Sequence, residues 1–423
     1  MPEKVAIMGL GYVGLPLAEA FKKKNFDVIG FDISKSRISD LKNNIDKNSQ
    51  LSLKKINFSK KITLTTDETV LKKCDYIIVT VPTPIDKNNN PDLKMLKKSC
   101  KIIGKNIFKK SIIIFESTVF PGCTEEICVP LIEKFSKKKM NKNFYVGYSP
   151  ERINVGDKKH SLENIKKIVS GSNQFSLKKI VKLYSKIIKP KIHICSTIKV
   201  AESAKAIENA QRDINIAFVN EVAKIFYKLN INTNEVLKAA STKWNFLNFE
   251  PGLVGGHCIG VDPYYLTYKA KKSGINSKVI LSGRNTNDQM PIFLAKIFID
   301  KMKAKKNGKN ILILGLSFKE NVSDTRNSKV FELIKSFNKN KFKVDVFDPI
   351  AKIDTNKIKN FKFIQKLNNK KKYDGIFIAV GHDIFLRLGS KKLIKLGNKN
   401  CLFFDFKNIF LRKSIKNYNF LQL

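Results

Sequence analysis

The chain has 423 residues, of which 43% are hydrophobic, so it is long enough for two or three domains that each bury a core. No stretch approaches the about 20 uninterrupted apolar residues of a membrane span, and the N-terminus lacks a signal-peptide pattern, so we expect a cytoplasmic protein. The net charge of +44 would suit a nucleic acid or an anionic membrane. Because the lysine runs are spread along the chain without interleaved aromatic residues, we interpret them as solvated surface and expect neither partner.

The positions of the cysteines bear on metal binding, and those of the arginines bear on ligand contacts. The seven cysteines are scattered and form no paired C-x-x-C motif, so we expect reduced thiols and no metal site. Only seven of the 80 basic residues are arginine. Because the guanidinium group binds carboxylates and phosphates in a bidentate way that lysine cannot copy, the arginine positions are candidate ligand contacts.

The first predicted element is a strand over Val5–Met8 that leads into a G-x-G-x-x-G motif and then a helix over Leu15–Lys24. In this context the first glycine permits a tight turn, the second lets the backbone approach a pyrophosphate, and the third lets helix and strand pack closely. The motif predicts a dinucleotide site formed by Gly9, Gly11, Tyr12, Val13 and Gly14.

The second predicted strand, over Asp27–Phe31, ends at Asp32. An acidic side chain there accepts hydrogen bonds from the adenosine ribose and repels a 2′-phosphate, so the cofactor is predicted to be NAD rather than NADP. Arg37 is placed to reach the adenosine side. The alternative is that Asp32 only caps the next helix.

Further apolar strands alternate with helical segments, as a doubly wound parallel sheet requires. They are predicted over Tyr76–Val81, Ser111–Phe115 and Phe144–Gly147. Polar residues follow these strands, where the ligand crevice of such a sheet opens. Thr83 and Thr118 are candidate cofactor contacts, with ordinary turn hydroxyls as the alternative, and Glu151 and Arg152 follow the next strand in the same way.

A long helix is predicted from about Lys199 to Leu229, because this segment has neither Gly nor Pro and its apolar residues recur at helical spacing. The apolar stripe consists of Val200, Ala204, Ile207, Ile214, Phe218, Val222 and Ile225. Lys205, Asn209 and Asp213 follow one another in steps of four and are predicted to share a face beside this stripe. For Lys205, a solvated side chain is the alternative.

A glycine-rich loop over residues 248–262 contains His257, Cys258 and Asp262. Such a loop lets the backbone approach a ligand closely. A cysteine there is a candidate nucleophile, since its thiolate would be favoured by nearby donors. A buried structural cysteine is the alternative.

The C-terminal third begins with another strand, from Asn310, that enters a glycine turn. Later strands are predicted over Lys343–Phe347, Gly375–Val380 and Leu402–Asp405. Because the C-terminal third has no full G-x-G-x-x-G motif, we predict that it binds a phosphorylated ligand other than the dinucleotide. Lys319 and Arg326 are predicted to lie at the opening of this second ligand site. The predicted fold is therefore α/β, with two doubly wound Rossmann-like domains joined by a long central helix and boundaries at 1–197, 198–305 and 306–423.

Taken together, the motifs resemble the UDP-glucose/GDP-mannose dehydrogenase family over essentially the whole chain. They occur in the order GLGYVGLP, the strand-end aspartate, VPTP with PDL, ESTVFPG, SPERINVGD, AKAIENAQRD, PGLVGGHCIGVDPYYL, GRNTNDQMP and GLSFKENVSDTR. The resemblance implies an N-terminal NAD domain, a homodimer formed through the central helix and a C-terminal UDP-sugar domain.

The resemblance also implies roles for individual residues. Cys258 would be the nucleophile, Lys205 and Asn209 would hold the C6 oxygen, and Asp262 would act in proton transfer with a bound water. Glu151 would activate the water that hydrolyses a thioester, and Thr118 would order that water. The remaining implied contacts are Arg152, Gly255, His257, Arg284 and Lys319 for the substrate and Arg326 for a phosphate.

One departure from the family pattern bears on the sugar. Members acting on UDP-glucose usually carry C-x-x-K-D in the cysteine loop, whereas this chain has Val261 before Asp262. Its form resembles the branch acting on UDP-N-acetylhexosamines, including enzymes of Vi-type capsule and O-antigen synthesis. We therefore expect two-step oxidation of UDP-GlcNAc or UDP-GalNAc. The alternatives are a UDP-glucose or GDP-mannose dehydrogenase, a single-step hydroxyacid dehydrogenase, or a basic nucleic-acid-binding protein.

Overall fold

The computed structural model describes residues 3–46, 62–108, 110–152, 161–305, 308–353, 358, 360–410 and 419–423. Residues 153–157 of the SPERINVGD motif lie outside this part. The chain forms two compact units: the first comprises Met1–Glu208 and Tyr264–Asn276, and the second comprises Asn209–Pro263 and Ser277–Leu423. The predicted division into three domains stays a prediction.

The first unit is built on an eight-stranded sheet with the order β3-β2-β1-β4-β5-β6-β7-β8. Its strands are β1 (Lys4–Met8), β2 (Asp27–Phe31), β3 (Ile62–Thr65), β4 (Tyr76–Val79), β5 (Ile112–Phe115), β6 (Tyr145–Tyr148), β7 (Ile168–Gly171) and β8 (His193–Ile194). The strand pairs are parallel, apart from β6 with β7. The predicted strands of this sheet pair in parallel, whereas β7, which was not predicted, runs antiparallel to β6.

Helices cover this sheet and bury its apolar strands, as expected where near-continuous hydrophobic runs form a parallel sheet. They are α1 (Gly14–Lys23), α2 (Lys35–Lys42), α3 (Lys94–Asn106), α4 (Val129–Ser136) and α5 (Gln174–Ser185). One core cluster joins Val5 and Ile7 of β1 to Leu17 and Phe21 of α1. This packing places the carboxyl ends of the parallel strands at one edge, where the loops with polar residues begin.

The second unit contains a six-stranded parallel sheet with the order β11-β10-β9-β12-β13-β14. Its strands are β9 (Asn310–Leu314), β10 (Lys343–Phe347), β11 (Lys362–Ile364), β12 (Tyr373–Ile378), β13 (Gly397–Asp405) and β14 (Asn419–Leu421). Phe298, Phe337, Phe377 and Phe404 pack in its core. The predicted α/β class with two doubly wound sheets is confirmed.

The two sheets repeat one turn geometry. Gly9 follows β1 with φ +97° and donates its N–H to the carbonyl of Phe31 at 2.9 Å. Gly315 follows β9 with φ +93° and donates to the carbonyl of Phe347 at 2.9 Å. Since L side chains rarely adopt a positive φ, glycine is needed at both turns.

The remaining helices are α6 (Ile198–Leu229), α7 (Thr233–Ala240), α8 (Asp262–Lys272), α9 (Lys278–Ala304), α10 (Val330–Lys339), α11 (Asp383–Leu388) and α12 (Ser390–Ile394). Of these, α6 and α9 are long. The predicted long helix is confirmed as α6, which begins one residue earlier than expected. In the described part of the chain, no helix is both long and apolar enough to cross a membrane.

Four residues of the apolar stripe on α6 are exposed to solvent, and the other three are half-buried. Val200, Ile207, Phe218 and Ile225 are 47%, 55%, 61% and 48% exposed, whereas Lys205 is 8% exposed. The other buried residues of this helix are mostly alanine or polar, namely Ile198, Ala201, Glu202, Ala206, Ala210, Asp213, Ala217, Val219, Asn220 and Ala223. The predicted position of the polar face beside the stripe is therefore wrong, because at 3.6 residues per turn the buried polar residues lie on the opposite side.

Candidate active site

The first unit contains a cavity of about 370 Å³ at the carboxyl ends of β1 and β2. Its lining includes the Met8–Gly11 turn, Asp32, Arg37 and the segment Thr80–Pro82. Several residues predicted to contact the cofactor therefore surround one space. The lining also includes Met95, Ser99 and Ile102 of α3, which the sequence did not single out.

The glycine turn leaves room for a phosphate group. A Cβ atom at Gly14 would lie 1.9 Å from the carbonyl oxygen of Gly9, so only glycine allows α1 to start so close to β1. At Gly11 a Cβ atom would meet no atom within 4 Å, so this edge of the turn is open. Tyr12 and Val13 are half-buried and lead into α1. The positive end of α1 and the open backbone at Gly11 fit a pyrophosphate.

Asp32 ties the glycine turn to the end of β2. Its Oδ2 accepts a hydrogen bond from the N–H of Leu10 at 2.9 Å, and its Oδ1 accepts one from Ser34 at 2.9 Å. The cap of α2 is Ser34, whose hydroxyl accepts from the N–H of Arg37. A carboxylate has about four acceptor sites, so Asp32 retains capacity for ribose hydroxyls.

Arg37 is held against the same turn. Its Nε donates to the carbonyl of Leu10 at 2.9 Å, and its Nη1 lies 2.9 Å from Asp46 Oδ1. The Nη2 atom is buried and makes no hydrogen bond with the described residues. The guanidinium group therefore fixes the turn from the side that lines the cavity.

Two predicted threonines meet at the carboxyl ends of β4 and β5. The hydroxyl of Thr83 donates to the carbonyl of Thr118 at 2.7 Å, and the Tyr265 hydroxyl donates to the carbonyl of Thr83 at 2.7 Å. Three segments distant in sequence are thus joined at one point. Tyr265 was not predicted, because its partner is a backbone carbonyl of a distant loop.

Glu151 and Arg152 follow β6 and have different partners. Glu151 Oε1 accepts from the N–H of Arg152 at 2.6 Å, and Glu151 Oε2 lies 3.8 Å from the ammonium of Lys167. The Arg152 guanidinium pairs with Glu208 on α6 through two nitrogens. Its Nη1 also donates to the carbonyl of Lys166 at 3.0 Å. The proposed base is therefore held by its neighbours in the chain and by Lys167.

Glu202 lies one turn before Lys205 on the buried side of α6. Its carboxylate accepts hydrogen bonds from the N–H groups of Gly122 and Thr124 at 2.5 and 2.9 Å. Burial raises the pKa of Glu202 to about 7, although the hydrogen bonds from Thr124 and Gly122 oppose this shift. Glu202 thus anchors the loop that carries Thr118 to the helix that carries Lys205, a connection that the sequence did not reveal.

In the second unit, the predicted nucleophile lies at the start of a helix. The carbonyl of Cys258 accepts from the N–H groups of Val261 at 3.0 Å and Asp262 at 2.8 Å, which forms the turn that leads into α8. Asn209 donates its side-chain amide to Asp262 Oδ2. Among the seven cysteines, Cys258 is exposed and Cys401 partly so, whereas the other five are buried.

The cysteine loop packs against the segment that follows β9. A Cβ atom at Gly255 would lie 2.4 Å from the carbonyl oxygen of Asn327, and one at Gly256 would lie 2.7 Å from the ring of Phe318. Gly256 also has φ +79°. The glycines of the loop are therefore required by close packing as well as by backbone conformation.

An ion-pair cluster holds the residue next to Cys258. His257 Nε2 lies 3.2 Å from Asp324 Oδ2, and Arg326 donates to both carboxylate oxygens of Asp324. Although burial alone would raise the pKa of Asp324, hydrogen bonds from His257 and Arg326 lower it. Lys319 is half-buried in the same segment. The segment with Lys319 and Arg326 thus contacts the loop with Cys258 through Asp324, which the sequence did not single out.

Arg284 is buried on α9. Its Nη1 lies 2.5 Å from Asp213 Oδ1 on α6, and its Nη2 lies 2.6 Å from Asp288 Oδ1. Asn287 donates to Asp213 Oδ1 at 2.7 Å. Burial raises the pKa of Asp213, and the Arg284 guanidinium opposes this shift. Within this unit Arg284 therefore joins α6 to α9, and its predicted contact with the substrate stays a prediction.

Three parts of one family description match the chain in sequence order. The NAD binding domain of the UDP-glucose/GDP-mannose dehydrogenase family matches residues 3–188, and the family's central domain matches residues 199–289. Its UDP binding domain matches residues 312–412. The matches cover most strands of both sheets and nearly all of α6.

Individual relatives match over nearly the full length. Protein CapL of Staphylococcus aureus is 49% identical over 391 residues, covering 91% of each chain. The UDP-N-acetyl-D-glucosamine 6-dehydrogenase of Salmonella typhi is 47% identical over 390 residues, with the same coverage. A solved UDP-D-ManNAc dehydrogenase structure from Pyrococcus horikoshii superposes with a TM-score of 0.87 at 28% identity, covering 99% of this chain and 98% of that one.

Proposed function

Because the chain belongs to the UDP-glucose/GDP-mannose dehydrogenase family and is an NAD-dependent oxidoreductase, we propose that it oxidises the C6 alcohol of a UDP-N-acetylhexosamine to a carboxylate. The resemblance and the NAD cofactor predicted from the sequence are confirmed. The proposed substrate is UDP-GlcNAc or UDP-GalNAc, and the product would enter surface-polysaccharide synthesis.

The relatives and the cysteine loop support an N-acetylhexosamine over glucose. The Salmonella typhi relative at 47% identity is a UDP-N-acetyl-D-glucosamine 6-dehydrogenase. In this chain Val261 precedes Asp262, where members acting on UDP-glucose usually have lysine, and Val261 is buried. With valine instead of lysine at this position, the loop that carries Cys258 has one positive charge fewer than the loop of the members acting on UDP-glucose.

The observation that carries the proposed mechanism is the position of Cys258, an exposed thiol in a glycine-rich loop at the start of α8. When bound, NAD accepts a hydride, and conversion of an alcohol to an acid requires two such transfers. The Cys258 thiolate would add to the carbonyl carbon of the intermediate aldehyde and form a thiohemiacetal. Loss of a second hydride would leave a thioester on Cys258.

The other predicted residues would manage charge and protons. Lys205 and Asn209 would hold the C6 oxygen as negative charge develops, because preorganised donors stabilise an oxyanion most strongly where water is excluded. Asp262 would act with a water in proton transfer, held by its hydrogen bond from Asn209.

Hydrolysis would release the acid. Glu151 would take a proton from a water ordered by Thr118 while that water's oxygen bonds to the thioester carbon. The carbon–sulfur bond would then break and return the thiolate of Cys258.

Phosphate and sugar contacts would come from cationic groups of the second unit. Arg326 would contact a phosphate, since its guanidinium is fixed by Asp324 and its side chain is 58% exposed. Lys319, His257, Gly255 and Arg284 would contact the substrate, together with Glu151 and Arg152 of the first unit. Arg284 is also paired with Asp213.

A homodimer formed through α6 is supported by the exposed apolar stripe. Val200, Ile207, Phe218 and Ile225 recur at intervals that keep them on one face of the helix. Exposed apolar patches with this regularity are typical of protein–protein interfaces. We propose that a second copy of the chain covers this face.

The proposed function is tested by measuring NADH formation with UDP-GlcNAc, UDP-GalNAc, UDP-glucose and GDP-mannose. We expect an N-acetylhexosamine to give the highest kcat/KM and two NADH per sugar, whereas Cys258→Ser should lose acid formation. Equal or faster turnover of UDP-glucose would refute the sugar assignment. One NADH per substrate would instead indicate a single-step dehydrogenase.

A further inference from the structure

Lys167 is buried between two carboxylates in the first unit. Its side chain is 4% exposed, and its ammonium lies 2.9 Å from Glu116 Oε2 and 3.8 Å from Glu151 Oε2. The ammonium also lies 3.4 Å from the carbonyl oxygen of Pro150. One cation therefore contacts both the side chain of Glu151 and the backbone immediately before it.

Glu116 is the buried partner of this lysine. It directly follows β5, is 2% exposed, and accepts a hydrogen bond from the hydroxyl of Tyr184 on α5. Burial raises the pKa of Glu116, and the Lys167 ammonium opposes this shift. The ammonium also lies over the Tyr184 ring, 5.0 Å from its centroid. Buried ions are costly unless paired, so this arrangement holds the lysine in one place.

We propose that Lys167 is a positioning residue for thioester hydrolysis, with its ammonium orienting the Glu151 carboxylate while Glu116 fixes the ammonium. This inference rests on the proposed role of Glu151 as the base. A fixed cation 3.8 Å from one oxygen of a carboxylate attracts that oxygen and so favours one orientation of the group.

The other described groups beside Glu151 differ from Lys167 in where their charge is directed. Arg152 directs its guanidinium to Glu208 on α6 and only its backbone N–H to Glu151. Glu116 and Tyr184 carry no positive charge. The ammonium of Lys167, by contrast, lies 3.8 Å from Oε2 of the Glu151 side chain.

A purely structural role is the competing explanation, in which Lys167 only neutralises buried Glu116. The two explanations differ for the double variant Glu116→Gln/Lys167→Met. This variant removes both charges of the buried pair with little change in volume, so no unpaired ion remains. If the role is structural, hydrolysis should recover, whereas a positioning role predicts that it stays slow.

The experiment compares Lys167→Met, Lys167→Arg and the double variant in the full-length enzyme, with Lys166→Met as the matched control. Lys166 is adjacent and exposed, and Arg152 contacts only its backbone carbonyl. Steady-state and burst NADH formation are measured with the N-acetylhexosamine substrate, and the peptide containing Cys258 is analysed by mass spectrometry. Thermal melting verifies folding.

We expect Lys167→Met and the double variant to show a burst of NADH, a thioester mass on the Cys258 peptide and kcat lowered on the order of tenfold, without a raised KM. Lys167→Arg should recover most of the rate, and Lys166→Met should match the wild type. If Lys167→Met does not fold, the double variant alone decides the question.

Two results would overturn the inference. Wild-type hydrolysis in the double variant would show that Lys167 serves only Glu116. Absence of a thioester in Lys167→Met, when Glu151→Gln accumulates one, would show that Lys167 does not act on this step. If neither Glu151→Gln nor any other variant accumulates a thioester, the proposed mechanism itself fails and the role of Lys167 fails with it.

Discussion

Asp32 accepts a hydrogen bond from the backbone N–H of Leu10 at 2.9 Å, and Asp348 accepts one from the N–H of Leu316 at 2.7 Å. Asp32 directly follows β2, and Asp348 directly follows β10. Each accepts its hydrogen bond from the residue after the glycine of the turn in its own unit. In the second sheet, however, Asp348 is fully buried and also contacts His382 at 3.0 Å. The carboxylate next to the cavity in the first unit thus has a structural role in addition to its predicted contact with ribose.

We predict that Asp32→Ala weakens NAD binding by about tenfold or more and erodes the preference for NAD over NADP, because a charged acceptor and a repulsive charge are lost together. Asp32→Asn should keep an acceptor for the Leu10 N–H and so lose less thermal stability, but it should also lose discrimination. Dissociation constants for NADH and NADPH measure both effects. If both constants stay unchanged in Asp32→Ala, the residue serves only the turn.

Cys258 should be the cysteine that reacts first with iodoacetamide in the folded enzyme. The thiolate is the reactive form, Cys258 is exposed, and burial raises the pKa of Cys401 to about 12. We expect incorporation of one label per chain, on the peptide with Cys258, in parallel with loss of NADH formation. Cys258→Ser should remain unlabelled under the same conditions. Full activity after labelling would exclude Cys258 as the nucleophile.

Glu202 should make stability depend on pH near neutrality. Its folded-state pKa of about 7 lies above the ordinary value of 4.5, mainly because of burial, so folding favours the protonated form. The extra stability that Glu202 gives the folded state is therefore fully present below its ordinary pKa of 4.5, and it is lost as the pH rises through about 7. The loss would reach up to about 3 kcal/mol, from 1.36 kcal/mol per pKa unit.

Melting temperatures of wild type and Glu202→Gln between about pH 5 and pH 8.5 test this dependence. The wild type should lose stability relative to the variant as the pH rises. Glu221→Gln changes an exposed glutamate on the same helix and should leave the pH profile of the wild type unchanged. A constant difference between wild type and Glu202→Gln would contradict the shifted pKa.

The local part of the site could be predicted from the sequence because each signal is confined to a few residues. The strand before Gly9, the glycine turn and the strand ending at Phe31 follow from hydrophobic pattern and glycine spacing alone. Val261, one residue from Asp262, likewise distinguishes this loop from the glucose type without any knowledge of tertiary structure.

The contacts that hold the site together could not be predicted, because they join distant residues. Lys167 and Glu116 are 51 positions apart, and nothing in the sequence separates this lysine from the many solvated ones.

The 27-residue helix α9 contains Pro291, which normally interrupts a helical pattern. The stripe on α6 was predicted correctly as an apolar face, but a sequence does not say whether the same chain or another covers it.

The exposed stripe of α6 leads to the last prediction, that Phe218→Asp converts a dimer into monomers. Phe218 is 61% exposed in the single chain. In a two-fold symmetric dimer each substitution occurs twice, and burial of one such side chain contributes about 1.5–3 kcal/mol. Introducing a carboxylate at both positions should therefore raise the dimer dissociation constant by about a hundredfold or more.

Sedimentation equilibrium over a range of protein concentrations measures this constant. Phe175→Asp is the matched control, because Phe175 is 50% exposed and belongs to α5 rather than to the stripe on α6, so its substitution should leave association unchanged. Circular dichroism and thermal melting establish that both variants fold. If the wild type is monomeric, or if Phe218→Asp associates as tightly as the wild type, then a second copy of the chain does not cover the stripe on α6.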